Sequence, residues 1–566
     1  MWRNILIGIL LVLIGAGGLA WFNRKAITFH MVKRAAHVEI AENRPVQWSP
    51  GPAAAVIDRF EGPPNIIFIL ADDLGINDIS TFGGGVASGR VPTPNIDRLA
   101  ASGAVFSQAY AGTGTCAPSR AMLMTGRYPT RTGFEFTPTP NGMSRIVGMF
   151  SEGAQEGSGL PAGTANPELS NGSEVIDFGD MGLPTEEVTI AEVLKARGYH
   201  NIHIGKWHLG LAEPFRPVAQ GFDESLLMAS GLYLPEDHPN VVNAKLDFDP
   251  IDRFLWGILQ FGAQFNRAGE PFSGTRTDWF KPGGYLTDYW TDEALKVIEA
   301  NRNRPFFLHL AHWGPHTPLQ ATREDYEAVG DIEPHRLRVY AAMIRALDRS
   351  VGRILDKLKE EGLAENTIVV FSSDNGGAGY IGLPEVNAPY RGWKITLFEG
   401  GIRVPMFISW PGRIDPGTRI DSPVAHIDFM PTLAAAAGAP IPDGVAIDGK
   451  NVLPAALGTG KINREDDALY WSSGFYRAVR AGNWKLHHNR RQDRTWLFNL
   501  AEDPTEQVNL SDAHPTERAR LEALMEAHWA KAVAPLYPQQ TESAICIDKT
   551  ITDRPCDNDE YIIWPN

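Results

Sequence analysis

Only three cysteines occur in 566 residues, Cys116, Cys546 and Cys556. That is too few for a fold stapled together by disulfides. A basic surplus is also missing: 52 Lys and Arg stand against 67 Asp and Glu, a formal net charge of −15. Without a positive balance to neutralise phosphates, nucleic acid is excluded as the main partner. Local basic residues at one site can still outweigh the global sign, so an anionic small molecule is not excluded. Internal repeats and low-complexity tracts are absent as well. A chain of this length can bury a large core, and length alone allows roughly two to four domains.

At the N-terminus an uncharged apolar run extends from Ile5 to Phe22. It is long enough to approach a membrane span and also fits a signal-peptide core, with Gly18-Leu19-Ala20 as a small-x-small cleavage site. Arg24, Lys25, Lys33 and Arg34 downstream outweigh Arg3 upstream, the reverse of the usual export bias. Export is nevertheless expected, with the bulk of the chain membrane-anchored or periplasmic, extracellular or lumenal. Residues 1–22 are read as a signal anchor or a cleaved signal peptide, both left open. Residues 23–63 read as a polar, Pro-containing linker.

From Pro64 onward, apolar runs alternate with helical patterns. Asn65–Ala71, Tyr199–Gly205, Pro305–Leu310, Thr367–Phe371 and Met406–Ser409 read as strands, several of them buried on both faces. Pro94–Ala100, Thr189–Arg197 and Thr291–Asn301 read as helices. So does the stretch in which Val339, Met343, Leu347, Val351, Ile354 and Leu358 recur at helical spacing, with Gly362 as its stop. This alternation indicates an α/β domain with a large, mostly parallel sheet over residues 64–465. Residues 135–180 and 225–285 read as insertions, the second carrying Phe254–Phe261 as either a core helix or an apolar wall for a hydrophobic substrate. Residues 466–536 change to short alternating strands and one Glu/Ala-rich helix, a smaller antiparallel subdomain. Residues 537–566 form a polar tail in which Cys546 and Cys556 could close a small disulfide loop.

Two strand runs end in paired oxygen donors, Asp72-Asp73 and Asp374-Asn375. Neighbouring residues converge only where the strand has given way to a turn, which Gly75 and Gly376-Gly377 permit. Crowded carboxylates need a cation, and an oxygen-only set favours Ca²⁺ or Mg²⁺ over zinc. A second constellation runs from Thr115 to Arg127. Thr115 suits a helix N-cap, Pro118 the first turn and Gly126 the stop, so Cys116 falls at a helix N-terminus that favours an anion, with Arg120 one turn on. The residues alone suggest a reactive cysteine of lowered pKa.

The run Cys116-Ala117-Pro118-Ser119-Arg120, followed by Leu123-Met124-Thr125-Gly126-Arg127, resembles the signature of the type I sulfatases. Gly205-Lys206-Trp207-His208, Pro315-His316-Thr317-Pro318 and Arg391-Gly392-Trp393-Lys394 match further motifs of that family, and the resemblance covers about Pro64 to Leu510. It implies an alkaline-phosphatase-like fold and conversion of Cys116 to formylglycine by a maturation enzyme. It also implies one Ca²⁺ (Mg²⁺ being the lesser candidate) held by Asp72, Asp73, Asp374, Asn375 and residue 116. The implied chemistry is hydrolysis of a small-molecule sulfate ester. A hydroxyl of hydrated residue 116, polarised by Ca²⁺ and Asp374, attacks sulfur, while Lys206 and Lys394 bind the sulfuryl oxygens. His316, with Lys394, protonates the leaving oxygen, His208 takes the proton of the second hydroxyl, and Arg120 holds the hydrate and carboxylates in register.

Two rivals stand beside this reading: a phosphate or phosphonate ester hydrolase on the same scaffold, and a membrane-anchored binding protein whose Cys116 is never converted. Aryl or steroid-like sulfates are expected over polysulfated glycans, because the insertions carry an aromatic run and few basic residues. A carbohydrate sulfatase is the alternative.

Overall fold

The computed structural model describes residues 23–55, 62–139, 159–166, 176–270, 278–464, 467–553, 556 and 558–566. The expected signal or anchor at residues 1–22 lies outside them. No helix among the described residues is long and apolar enough to cross a membrane.

A nine-stranded sheet organises the larger domain. Its strands are β1 (Asn65–Ala71), β2 (Ala104–Phe106), β3 (His200–Gly205), β4 (Glu224–Gly231), β5 (Phe261–Arg267), β6 (Phe306–Ala311), β7 (Thr367–Ser373), β8 (Met406–Ser409) and β9 (Thr418–Ile420). The spatial order is β9-β2-β8-β7-β1-β6-β3-β4-β5. The central strands β7, β1, β6, β3 and β4 are mutually parallel, whereas β8 and β5 oppose their neighbours.

Strand β1 is uniformly apolar after Asn65 because both of its faces are covered. Ile67, Ile69 and Ala71 enter one core, and the alternate residues Ile66, Phe68 and Leu70 enter another. The helices of this domain are α1 (Arg24–Ala36), α2 (Pro94–Ala101), α3 (Cys116–Thr125), α4 (Ile190–Ala196), α5 (Pro250–Ile258), α6 (Leu286–Ala300), α7 (His335–Glu360) and α8 (Phe429–Ala437), of which α1 and α5 pack on each other through Phe29 and Phe254 outside these two cores. The first core takes α6 and α7, the latter through Val339, Met343, Leu347, Val351, Ile354 and Leu358; the second takes α3, α4 and α8. Helix α4 opens with a capping box: Glu192 N donates to Thr189 Oγ1 at 3.3 Å and Thr189 N to Glu192 Oε2 at 2.8 Å.

The smaller subdomain is an antiparallel sheet of β10 (Leu469–Ser473), β11 (Tyr476–Ala481), β12 (Trp484–Asn489) and β13 (Arg494–Asn499), in that spatial order, with α9 (Pro515–Trp529) against it. Val479, Leu486 and Leu497 face Leu521 and Met525 of α9. The opposite face, with Tyr476, Ala478, Trp496 and Phe498, packs on Tyr110, Leu397 and Phe398 of the larger domain. Ion pairs are buried in this junction. Lys485 Nζ meets Glu399 Oε1 at 2.8 Å and Glu506 Oε1 at 3.0 Å, all three side chains fully buried.

Three stretches differ from the sequence reading. Residues 225–285 are not a separate insertion, since they supply β4 and β5 of the main sheet. Their polar residues are satisfied from outside the sheet, as where Glu224 accepts from Ser49 N of the N-terminal segment. Phe254 and Trp256 are buried core residues of α5, so the aromatic run is not a free apolar wall. The linker is pinned rather than loose: Ala41 N donates to Trp279 O at 2.9 Å, Trp48 Nε1 to Glu293 Oε2 at 2.7 Å and Ser49 N to Glu224 Oε1 at 3.0 Å. The tail folds as β14 (Thr541–Cys546) and β15 (Tyr561–Pro565), and β14 also pairs with Thr164–Ala165 from the first insertion. Cys546 and Cys556 are buried thiols with no disulfide between them.

Replacing Lys485 with Met removes the one cation that Glu399 and Glu506 share, leaving them Arg403 and His487 as partners. This is expected to lower unfolding free energy by about 3–5 kcal/mol. Lys195→Met, at a half-exposed pair with Asp223, is expected to cost about 1 kcal/mol or less. Urea titration followed by tryptophan fluorescence distinguishes the two, and equal effects would contradict the structural role given to the junction.

Candidate active site

Four parallel strands deliver side chains to one place at their C-terminal ends, where open α/β sheets bind ligands. Asp72 and Asp73 follow β1, Lys206 and His208 follow β3, His316 follows β6, and Asp374 and Asn375 follow β7. Helix α3 contributes Cys116 and Arg120, and the turn before the short helix Glu399–Ile402 contributes Lys394. All of the residues singled out in the sequence are therefore in or beside one cluster. The turns that bend them together are tight: Asp73 and His208 have positive φ, 62° and 65°. A Cβ added at Gly376 would lie 2.0 Å from the carbonyl oxygen of Gly400. Only glycine permits that approach.

Arg120 ties the cluster together. Its Nε donates to Asp374 Oδ2 at 2.9 Å, Nη1 to the Lys206 carbonyl at 2.7 Å and Nη2 to Asp72 Oδ2 at 3.1 Å. Lys206 Nζ sits 2.6 Å from Asp72 Oδ2. Lys394 Nζ sits 2.7 Å from Asp73 Oδ1 and 3.2 Å from both His316 Nε2 and Tyr380 Oη. Three buried carboxylates thus meet three buried cations. Burial and the neighbouring Asp374 push the Asp72 carboxyl up to about 7. Burial also raises Asp73, but Lys394 and His316 outweigh it and hold that carboxyl well below the usual range.

Cys116 is the first residue of α3, with Sγ 3.6 Å from Asp72 Oδ1 and 3.8 Å from Asp73 Oδ1. The expected lowering of its pKa by the helix N-terminus does not occur. Burial, followed by the Asp374 carboxylate, pushes the thiol far up and outweighs the lysines. This is a poor setting for a thiolate nucleophile. Burial and the nearby cations Lys206 and Arg120 keep His208 neutral, and its Nδ1 is buried without a hydrogen-bond partner among the described residues.

The oxygen donors of Asp72, Asp73, Asp374 and Asn375 suit a hard divalent cation. Asn375 gives Nδ2–H to Asp73 Oδ1 at 2.8 Å, whereas its buried Oδ1 has no partner among the described residues. That unpaired amide oxygen, beside carboxylates that repel one another, is an acceptor in want of a cation.

Several contributors escaped the sequence reading. Tyr380 Oη donates to Asp73 Oδ2 at 3.0 Å and accepts from Lys394. Trp313 stacks on His316, centroids 3.9 Å apart, and its ring also lies 4.7 Å from Lys206 Nζ. Ser119 Oγ donates to the Asp374 carbonyl at 2.6 Å, accepts from Gly112 N and lies 3.1 Å from His426 Nδ1, fixing the helix start from behind. The only signal for Tyr380 was its place in the loop after Asp374-Asn375. His426, far along the chain from Ser119, gave none.

A cluster of this kind, cationic groups around a buried nucleophile position and a hard-metal donor set, defines a hydrolase for an anionic ester. Comparison with known proteins identifies which. The sulfatase family model matches residues 64–439, and the model for the C-terminal part of N-sulphoglucosamine sulphohydrolase matches residues 392–531. The chain is 33% identical to dog (Canis lupus familiaris) N-acetylgalactosamine-6-sulfatase, over 75% of this chain and 72% of that protein. It is 32% identical to human arylsulfatase A, over 79% and 83% of the two chains. The crystal structure of Ps i-CgsB superposes with a TM-score of 0.66 at 31% identity, covering 84% of this chain and 94% of that one. The chain belongs to the sulfatase family and is a sulfuric ester hydrolase with an alkaline-phosphatase-like fold.

Arg120→Lys keeps the charge but cannot span Asp374, Asp72 and the Lys206 carbonyl at once. It is expected to lower stability by about 3 kcal/mol or more, read from urea unfolding. A variant as stable as the parent would contradict the bridging role.

Proposed function

We propose that the chain hydrolyses a sulfate monoester of an aryl or other hydrophobic alcohol, with formylglycine at position 116 and one Ca²⁺. The observation that carries the reading is the seat of Cys116: the first residue of a buried helix, against Asp72 and Asp73, under Lys206 and Lys394. Conversion to formylglycine by a maturation enzyme would supply a hydrated aldehyde whose hydroxyl attacks sulfur. Asp72, Asp73, Asp374 and Asn375, with residue 116, would hold Ca²⁺, whose charge would polarise that hydroxyl and the sulfuryl oxygens.

The protein's own groups do the rest. The ammonium groups of Lys206 and Lys394, each fixed on a carboxylate, are donors set in advance for the sulfuryl oxygens. Arg120 keeps Asp72 and Asp374 in register. His316 Nδ1 lies 2.7 Å from the Thr317 carbonyl, an acceptor only, so Nδ1 carries the hydrogen and Nε2 faces Lys394 Nζ. Lys394 and His316 therefore share one proton, and this pair delivers it to the leaving oxygen. His208 is the base for the remaining hydroxyl proton at residue 116.

The partly exposed ring of Tyr380 beside the proton-donating pair suits an aromatic or similarly apolar leaving group. A carbohydrate sulfate is the second reading, favoured by the likeness to N-acetylgalactosamine-6-sulfatase. The apolar run before residue 23 supports export to a compartment outside the cytoplasm, anchored if the run is uncleaved.

Steady-state rates on 4-nitrophenyl sulfate, 4-nitrophenyl phosphate and a 6-sulfated N-acetylgalactosamine test this directly. The aryl sulfate is expected to turn over fastest, and Cys116→Ala to lose at least about a thousandfold in kcat. Faster phosphate cleavage would overturn the chemistry, and faster glycan cleavage the substrate class. For His316→Ala, the loss in kcat/KM is expected to grow as the leaving phenol becomes less acidic, because a good leaving group needs no proton. A loss of constant size across a series of substituted phenyl sulfates would remove His316 from that role.

A further inference from the structure

The tail carries two features that the hydrolytic reading leaves unused. The first is the pair Cys546 and Cys556. Both side chains are buried, and their sulfurs lie within 4.8 Å of each other and of a carboxylate oxygen of Asp559. The second is the tail's grip on Arg391. Arg391 Nε donates to Asp548 Oδ1 at 2.5 Å, and Nη2 donates to Asp548 Oδ2 and Glu560 Oε2, both at 2.6 Å.

These features share one segment. Asp548 lies two residues after Cys546, and Glu560 lies four after Cys556, at the entry to β15. Arg391 in turn opens the turn that carries Lys394. Its Nη1 donates to the Glu506 carbonyl at 3.2 Å, its own carbonyl accepts from Gly400 N at 2.7 Å, and Lys394 N donates to the Gly377 carbonyl at 3.0 Å. Only Gly392 and Trp393 therefore separate the tail's anchor from the lysine whose ammonium sits on Asp73. The Arg391 side chain is nearly buried, but Asp548 is exposed, and ordering that side chain on its loop offsets part of what the pair gains. Closing the loop that carries Asp548 removes much of that freedom beforehand.

We propose that in the mature protein Cys546 and Cys556 are joined by a disulfide that locks the tail onto Arg391 and so keeps Lys394 in place over Asp73. The oxidation rests on the export proposed above, and the consequence for Lys394 on the hydrolysis proposed there. Two S–H bonds break and one S–S bond forms. The two electrons and two protons pass to the disulfide of a dithiol–disulfide oxidoreductase, which leaves as the dithiol. Two thiols and a carboxylate could also suggest a zinc ligand set. Against that, Lys549 Nζ already occupies Asp559 Oδ2 at 2.6 Å, and its charge acts on both sulfurs. A second cation there would be repelled.

Trypsin places the two cysteines in different peptides, residues 532–549 and 550–566, because Arg554 is followed by Pro555. Digestion of exported, unreduced protein is expected to yield these peptides linked, two hydrogens lighter than their sum, and separable by dithiothreitol. Cys546→Ser/Cys556→Ser is expected to lower kcat on 4-nitrophenyl sulfate by about tenfold, with the residue at position 116 unchanged by mass. Arg391→Ala is expected to match it, and the combined variant to add nothing further. Both thiols alkylating without reduction, or only after zinc is chelated, would overturn the cross-link. A linked protein whose serine variant keeps full kcat and KM would overturn the connection to Lys394. The peptide map requires no turnover, so it stands whatever the enzyme hydrolyses.

Discussion

Three carboxylates buried at strand ends repel one another, and the surroundings of the site answer that repulsion. Asp72, Asp73 and Asp374 are held together by Arg120, Lys206 and Lys394, each cation reaching them from a different element. The sum is close to neutral, so a divalent cation would leave the site positive toward an anionic ester even though the whole chain is acidic. Position 116 lies where these charges meet. A cysteine gains nothing from such a place as a nucleophile, since burial and carboxylates keep it protonated. A neutral carbonyl that takes up water pays no such penalty.

The smaller subdomain belongs to this arrangement rather than beside it. Lys485 and Glu506 reach across the junction to Glu399, just beyond the turn of Lys394, and Glu399 N donates to Glu506 Oε2 at 2.5 Å. Arg391 binds the tail and the Glu506 carbonyl on the other side of the same turn. The lysine farthest from the central strands is therefore positioned by packing and charge from the C-terminal quarter of the chain. Arg120, by contrast, is fixed entirely by strand ends.

How much of this could be read from the residues depended on how local the signal was. β1, β6 and β7 were legible because burial on both faces leaves an unbroken apolar run. α7 was legible because one face repeats at helical spacing over many turns. The site residues were legible because each sits in a short motif at a strand end. β4 and β5 were not: near the sheet margin their polar residues, such as Glu224 on Ser49 and His200, find partners outside their own strand and blur the alternation. Residues 23–63 and 537–566 read only as a polar linker and a polar tail because their ties, such as Trp48 to Glu293, join residues far apart in sequence. The same distance hid His426 behind Ser119. The thiol's charge state was misread for another reason: the helix N-terminus is a local cue, whereas desolvation and the carboxylates are supplied by the fold.

The proposed chemistry requires that residue 116 work as a hydrated aldehyde and not as a thiol. Mass spectrometry of the tryptic peptide that spans residues 99–120, taken from a preparation with measured turnover, tests it most directly. The account predicts an aldehyde or its hydrate, trapped by a hydrazine and unreactive to iodoacetamide, in proportion to the active fraction. A fully active preparation in which that peptide carries an alkylatable thiol would contradict it.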